Sequence, residues 1–340
     1  MLPVLYSYGN DGKRVSYVIL IPKYVKLIVT SRGMFVCATE IESRKRNILK
    51  QNAMETEIKG YDLTIPVNNF HLSYDDVGEG AVPVIFLHGY PFDKTMWQIQ
   101  LDFLNSSHRL IACDIRGFGK STDEESPLSI DLFADDLIQF MDKLSIDKAI
   151  LCGLSMGGFI ALNAMKRFPA RFEALILCDT QCVADTIEVK EKRYKTIDEI
   201  AVDGEEKFNE GFIKKVFHKD SITNKKKLVE QLRRVVFANS KHIIVQGLVA
   251  LAERSETCST LNEITIPTLI ICGREDEVTP LAQSEFMNKN IKGSILKVID
   301  KAGHVSNLEQ PDEFNQHLLD FLTTLVEGDF NKMNGSERMT

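Results

Sequence analysis

The chain has 340 residues, of which 44% are apolar and 26% charged, enough apolar material for a sizeable buried core. Its net charge of −7 argues against a nucleic-acid or anionic-membrane partner, either of which needs a clustered positive surface. No stretch reaches the roughly 20 apolar residues that span a bilayer; the nearest, Val15 to Thr30, is broken by Pro22, Lys23 and Lys26.

Residues 1–53 carry nine Lys/Arg against three Asp/Glu, which leaves a net of −13 for the remainder. This basic segment is expected to be a weakly structured extension ahead of a core that begins at Met54. The seven cysteines, at 37, 113, 152, 178, 182, 258 and 272, form no C-x-x-C pair, and several lie inside apolar runs. They are expected to stay buried thiols in a reducing compartment, which makes the cytoplasm the expected location.

From Met54 onward the pattern becomes regular. Asp62–Val67 and Phe70–Tyr74 are predicted to form an antiparallel pair at a sheet edge. Short apolar, β-branched runs follow at Val82–Leu87, Arg109–Cys113, Ala149–Cys152, Ala174–Cys178, Thr268–Cys272 and Ile295–Ile299. Helical spacing appears between them at Trp97–Leu104, Ile130–Leu144, Met156–Phe168 and Phe314–Leu325. Alternating strands and helices predict an α/β fold, a mostly parallel eight-stranded sheet with helices on both faces. Residues 54–182 and 259–330 would form this core. The interval 183–258 shows only helical patterns (Asp198–Val216, Lys225–Phe237, His242–Arg254) and is predicted to be a helical lid inserted after the sixth strand. Residues 331–340 form a polar tail.

The chemistry concentrates at strand ends. Gly153-Leu154-Ser155-Met156-Gly157 joins a strand directly to a helix, a turn that lifts Ser155 out of the sheet as a nucleophile and aims the Met156 N–H at a developing oxyanion. His88-Gly89-Tyr90-Pro91 follows an earlier strand, where Gly89 allows close backbone approach and the Tyr90 N–H can complete an oxyanion hole. His88 is expected to be scaffold, bonded to nearby backbone, and Arg116 to stabilise its turn through an ion pair. A nucleophilic serine needs a base, and the base needs a carboxylate to orient it. His304 alone among the histidines falls at the carboxyl end of a late strand. The acid is sought in Glu275-Asp276-Glu277, where Asp276 is preferred although local physics does not separate the three; Asp179 is a weaker alternative. Phe92 and Trp97 are candidate substrate walls.

These motifs, with Asp114-Ile115-Arg116-Gly117-Phe118-Gly119 and Gly303-His304 followed by Glu309 and Pro311, resemble the α/β-hydrolase fold family from about Gly60 to Glu327. Within it the pattern is similar to the small lactonases and esterases of the 3-oxoadipate enol-lactonase type. The resemblance supports Asp276 over its neighbours and the Tyr90 amide as oxyanion donor, and Ser155 speaks against the dehalogenases and epoxide hydrolases that place aspartate at that turn. It implies hydrolysis of a small-molecule ester or lactone through an acyl-enzyme, without cofactor or metal. Perhydrolase activity, carbon–carbon bond hydrolysis and ligand binding without turnover are the alternatives. A homo-oligomer is compatible with all of them.

Overall fold

The computed structural model describes residues 59–123 and 127–336, with side chains to residue 325, and the backbone of four strands within the first 58 residues. Two compact units divide the chain, Met1–Ile58 and Lys59–Thr340. In the first, β1 (Leu5–Tyr8), β2 (Ser16–Ile21), β3 (Val25–Thr30) and β4 (Gly33–Val36) pair antiparallel in chain order. At these residues the expected weakly structured extension gives way to strands. Tyr17, Val18, Ile19 and Ile21 supply the aromatic and β-branched content that favours a pleated chain, a signal that net charge does not carry.

The second unit holds an eight-stranded sheet built from β5 (Gly60–Val67), β6 (Phe70–Val77), β7 (Val84–Leu87), β8 (Leu110–Cys113), β9 (Ala149–Leu154), β10 (Phe172–Cys178), β11 (Thr268–Gly273) and β12 (Ile295–Ile299). The order across the sheet is β12-β11-β10-β9-β7-β8-β6-β5. β5 and β6 run antiparallel at one edge, and the six later strands pair parallel. Strands β7 to β11 are buried along almost their whole length, as their continuous apolar runs require when helices cover both faces.

Those covers are α1 (Gln98–Leu104), α2 (Ile130–Lys143), α3 (Met156–Arg167), α9 (Leu281–Asn290) and α11 (Pro311–Ser336), with the short α10 (Ser306–Glu309) before the last. In α2 the Ser129 hydroxyl accepts from the Leu132 N–H and caps the first turn, while Ile130, Phe133, Ala134, Leu137 and Met141 turn inward. The expected tail is helical as far as Ser336.

Between β10 and β11 the chain forms α4 (Ile187–Asp203), α5 (Glu206–Val216), α6 (Lys219–Asn224), α7 (Lys226–Ala238) and α8 (Lys241–Ala252). The continuous helix expected over Asp198–Val216 is broken at Gly204, whose φ of 85° no helix accommodates. None of the described helices is by itself long and apolar enough to cross a membrane.

Cysteine usage is the clearest correction. Cys182 and Cys258 form a disulfide that joins the two ends of this helical insertion. The Thr257 N–H bonds the Cys182 carbonyl beside it (2.9 Å). Four other cysteines, at 113, 152, 178 and 272, are buried thiols, and Cys37 lies outside the described residues. Sequence spacing conceals the pair because 76 residues separate its members. The seven cysteines therefore no longer argue for a reducing compartment. Closing so long a loop removes chain entropy from the unfolded state. Replacing both Cys182 and Cys258 by Ser should lower the unfolding free energy by about 2–4 kcal/mol. The urea midpoint of the oxidised protein reads this, and an unchanged midpoint would show that the cross-link adds nothing.

Candidate active site

β9 runs into Ser155, which adopts φ 54° and ψ −114° as the residue before α3. That backbone conformation costs about 1–3 kcal/mol for a residue with a Cβ and persists only where surrounding packing enforces it. The flanking glycines show how. A Cβ on Gly157 would lie 2.2 Å from the Leu87 carbonyl oxygen, one on Gly153 2.3 Å from that of Gly157, and one on Gly158 2.3 Å from Thr180 Oγ1. Strand β7, the turn and α3 thus approach more closely than side chains permit. Thr180 Oγ1 donates to the Ser155 carbonyl (2.8 Å), and the Ser155 N–H donates to Cys178 O (3.0 Å).

The other two residues arrive on loops after β11 and β12. His304 Nε2 lies 2.7 Å from Ser155 Oγ, and His304 Nδ1 lies 2.8 Å from Asp276 Oδ2. Asp276 is held in turn by the N–H groups of Val278 (2.7 Å) and Thr279 (3.0 Å) and by Thr279 Oγ1 (2.7 Å). Burial would push the Asp276 carboxyl up, but the adjacent His304 imidazole and the Thr279 hydrogen bonds outweigh it and hold the group below the ordinary carboxylate range. Ser155, Asp276 and His304 are 7%, 5% and 1% exposed, so the three act on one another with little screening by water.

The two proposed oxyanion donors flank the serine. The Met156 N–H opens α3, where the first amides have no intrahelical acceptor and the helix end is positive. Gly89, just before Tyr90, abuts Ser155: a Cβ there would lie 3.2 Å from Ser155 Cβ. Tyr90 is fixed through its side chain, its hydroxyl donating to Ile244 O on α8 (2.8 Å) and its ring packing against Phe118, Phe208 and Phe212.

His88 is buried, with the Ile115 N–H donating to Nε2 (2.9 Å) and Nδ1 bonded to Gly89 O (2.9 Å). Burial lowers its pKa, and the neutral ring with its proton on Nδ1 satisfies both contacts. Arg116 grips Asp136 through two nitrogens (2.7 and 2.6 Å) and lies over the Phe70 ring, committed to its turn. Phe92 approaches the site, since a Cβ on Gly89 would lie 3.3 Å from its ring, and it packs on Phe212 of α5. Trp97 does not line the site. Its ring is buried in the core against Phe86 and Phe314, because the 3-10 turn Lys94–Trp97 directs it beneath the sheet.

Sequence reasoning missed the supporting contacts. Thr279 belongs with Pro280 to the stretch that resembles the family, but its hydrogen bonds to Asp276 were not foreseen. Glu309 accepts from the N–H groups of Gly303 (2.6 Å) and His218 (2.9 Å), tying the His304 loop to the chain that follows α5. Asp179 does not reach His304. Its Oδ1 accepts from the Gly273 N–H (2.7 Å), and its Oδ2 bonds Ser306 Oγ (2.5 Å), so one carboxyl joins the loop of the acid to the loop of the histidine.

The model of the α/β-hydrolase fold family matches residues 82–311. The 3-oxoadipate enol-lactonase 2 of Acinetobacter baylyi is 30% identical over 253 residues, 74% of this chain and 93% of that protein. An esterase of Thermogutta terrifontis superposes with a TM-score of 0.73 at 30% identity, covering 77% of this chain and 98% of its own. The enol-lactonase of Burkholderia xenovorans does so with a TM-score of 0.72 at 26% identity, covering 77% and 100%. The chain belongs to the α/β-hydrolase fold family, and its relatives include enol-lactonases and esterases.

Burial pushes the Asp179 carboxyl well above its ordinary range, and Asp276 nearby adds to the shift, against the hydrogen bonds from Ser306 and Gly273. A carboxyl with a raised folded pKa favours folding while protonated and disfavours it once ionised. Stability should therefore decline as pH climbs from the ordinary carboxyl range through the raised value. Asp179→Asn does not titrate, so the difference in melting temperature between wild type and Asp179→Asn should move against wild type as pH rises. A difference constant with pH would show that Asp179 does not carry this linkage.

Proposed function

We propose that the chain is a serine hydrolase that cleaves a small carboxylic ester or lactone through an acyl-enzyme on Ser155. The continuous relay from Ser155 Oγ to His304 Nε2 (2.7 Å) and from His304 Nδ1 to Asp276 Oδ2 (2.8 Å) carries this reading. The enol-lactonase and esterase relatives support the substrate class.

In the first step His304 takes the hydroxyl proton as Ser155 Oγ bonds to the substrate carbonyl carbon. The carbonyl oxygen becomes an oxyanion held by the N–H groups of Tyr90 and Met156. Asp276 orients the imidazole and stabilises the imidazolium. His304 then gives its proton to the departing alcohol or enol oxygen, leaving the acyl group on Ser155. In the second step His304 takes a proton from water, the resulting hydroxide adds to the acyl carbon, and collapse returns the proton to Ser155 and releases the acid. Every proton has a place within the chain's own groups.

A panel of p-nitrophenyl esters and lactones, offered to wild type, Ser155→Ala, His304→Ala and Asp276→Asn, tests the mechanism. Each variant should lose about 10⁴-fold or more in kcat, with its melting transition retained. Activity equal to wild type in Ser155→Ala would overturn the assignment. Peroxide-dependent peracid formation, or cleavage of a carbon–carbon bond in preference to any ester, would move the same three residues to a different reaction. Ligand-induced thermal stabilisation without turnover would indicate a binding protein.

A further inference from the structure

The chain between α5 and α6, Val216 to His218, lies directly against the loop that carries His304. The His304 N–H donates to the Val216 carbonyl (2.8 Å). A Cβ on Gly303 would lie 2.8 Å from the Val216 carbonyl oxygen and 2.8 Å from the His218 nitrogen, so the two backbones meet with no room for a side chain between them. Glu309 closes this junction. Its Oε2 accepts from the Gly303 N–H (2.6 Å) and its Oε1 from the His218 N–H (2.9 Å), and the Ser221 hydroxyl of α6 donates to the same carboxyl. The Glu309 carbonyl also accepts from Lys225, which joins α6 to α7. Consecutive amides at Gly303 and His304 are thus bonded outside their own loop, one to a carboxylate that also holds the insertion and one to the insertion itself.

Only a carboxylate answers this set of donors. An ionised carboxylate accepts at both oxygens, whereas a carboxamide accepts at one end and donates at the other. Glu309 is 0% exposed, so no bulk water is at hand to replace a lost partner. Burial pushes its carboxyl up, against the hydrogen bonds from Ser221, Gly303 and His218. A glutamine in its place would set an NH2 group against one of two buried N–H groups and leave both donors unsatisfied.

His304 tolerates little displacement, because its Nε2 and Nδ1 bond Ser155 Oγ and Asp276 Oδ2 at the same time (2.7 and 2.8 Å). Ser155 is fixed by the close approach around its turn, and Asp276 by the amides of its own loop. A shift of the His304 backbone therefore lengthens one bond or both, and proton transfer depends steeply on that geometry.

We propose that Glu309 is a positioning residue for His304, and that through it the Ser155–His304 hydrogen bond depends on the placement of the insertion at Val216–His218. The proposal rests on the serine-hydrolase reading above and deepens it. Glu309 touches neither substrate nor nucleophile; it acts through the Gly303 amide, one residue before the base.

The test compares wild type, Glu309→Gln, Ser221→Ala and the double variant on the p-nitrophenyl ester that wild type cleaves fastest, with kcat and KM taken per folded molecule. Glu309→Gln should lower kcat by about 10- to 100-fold with KM within about twofold of wild type. The far-downfield proton resonance of the His304 Nδ1–H bonded to Asp276 should broaden or shift with it, a change that a loss of stability alone does not produce. Ser221→Ala, on the insertion side, should lower kcat by a smaller factor in wild type and by none in the Glu309→Gln background, because it acts only through that carboxyl. Wild-type kcat and an unchanged resonance in folded Glu309→Gln, whatever its melting temperature, would overturn the proposal, as would losses that multiply independently in the double variant. Should Glu309→Gln not fold, Ser221→Ala alone separates the outcomes: kcat lowered at constant KM supports the proposal, and wild-type kcat overturns it. Each of these failures leaves Ser155-dependent hydrolysis standing, whereas hydrolysis that survives Ser155→Ala would overturn the mechanism and this proposal together.

Discussion

The strained backbone of Ser155 is the constraint on which the site depends. A residue with a side chain at φ 54° is held there only because β7, β9 and α3 close around it, and they close because Gly153, Gly157 and Gly158 have no Cβ to keep them apart. The same approach sets the first amides of α3 directly after Ser155. The unfavourable conformation of one residue is thus offset by burial distributed over the central strands. It also sets the point that the later loops must meet.

Three buried carboxyl groups bring those loops to that point, each in a different way. Asp276 accepts three hydrogen bonds from its own loop and a fourth from His304, and the imidazole keeps it ionised despite burial. Asp179 spans the loops after β11 and β12 through Gly273 and Ser306, with its carboxyl pushed upward by the same burial. Glu309 secures the backbone just before His304 and reaches the insertion at His218. Similar chemistry in similar burial therefore serves two tasks: ordering a histidine and locking the loops that carry the ordered pair.

The helical insertion packs on the loops either side of Ser155. It enters and leaves the core at a disulfide, grips Tyr90 through Ile244 and the Phe208–Phe212 pair, and contacts the His304 loop through Val216. Its contacts with these loops are made by aromatic rings and backbone carbonyls, whereas the core contributes the hydrogen-bonded Ser155, His304 and Asp276. The hydrogen-bonded Ser155, His304 and Asp276 and the packing above them thus come from separate parts of the chain, as expected where loops and insertions vary on a fixed sheet.

The sequence by itself determined the sheet, the turn at Ser155 and the place of His304, because these rest on local pattern: apolar runs of strand length, glycines at fixed offsets, and a histidine just beyond a strand. The strand limits fell within a few residues of those observed for the same reason, whereas the last helix runs on to Ser336 and the pattern expected over Asp198–Val216 is two helices, the first starting at Ile187. Local pattern did not separate Glu275, Asp276 and Glu277, and Asp276 was preferred with the support of the resemblance; adjacent carboxylates in a loop look alike until a distant imidazole and a threonine hydroxyl meet one of them. Trp97 was equally ambiguous as wall or core, and only its packing on Phe86 and Phe314 settled it as core. The cysteine pair and the bridging role of Asp179 were decided by tertiary structure alone. Each is a relation between segments far apart in the chain, and spacing along a sequence does not record which side chains meet.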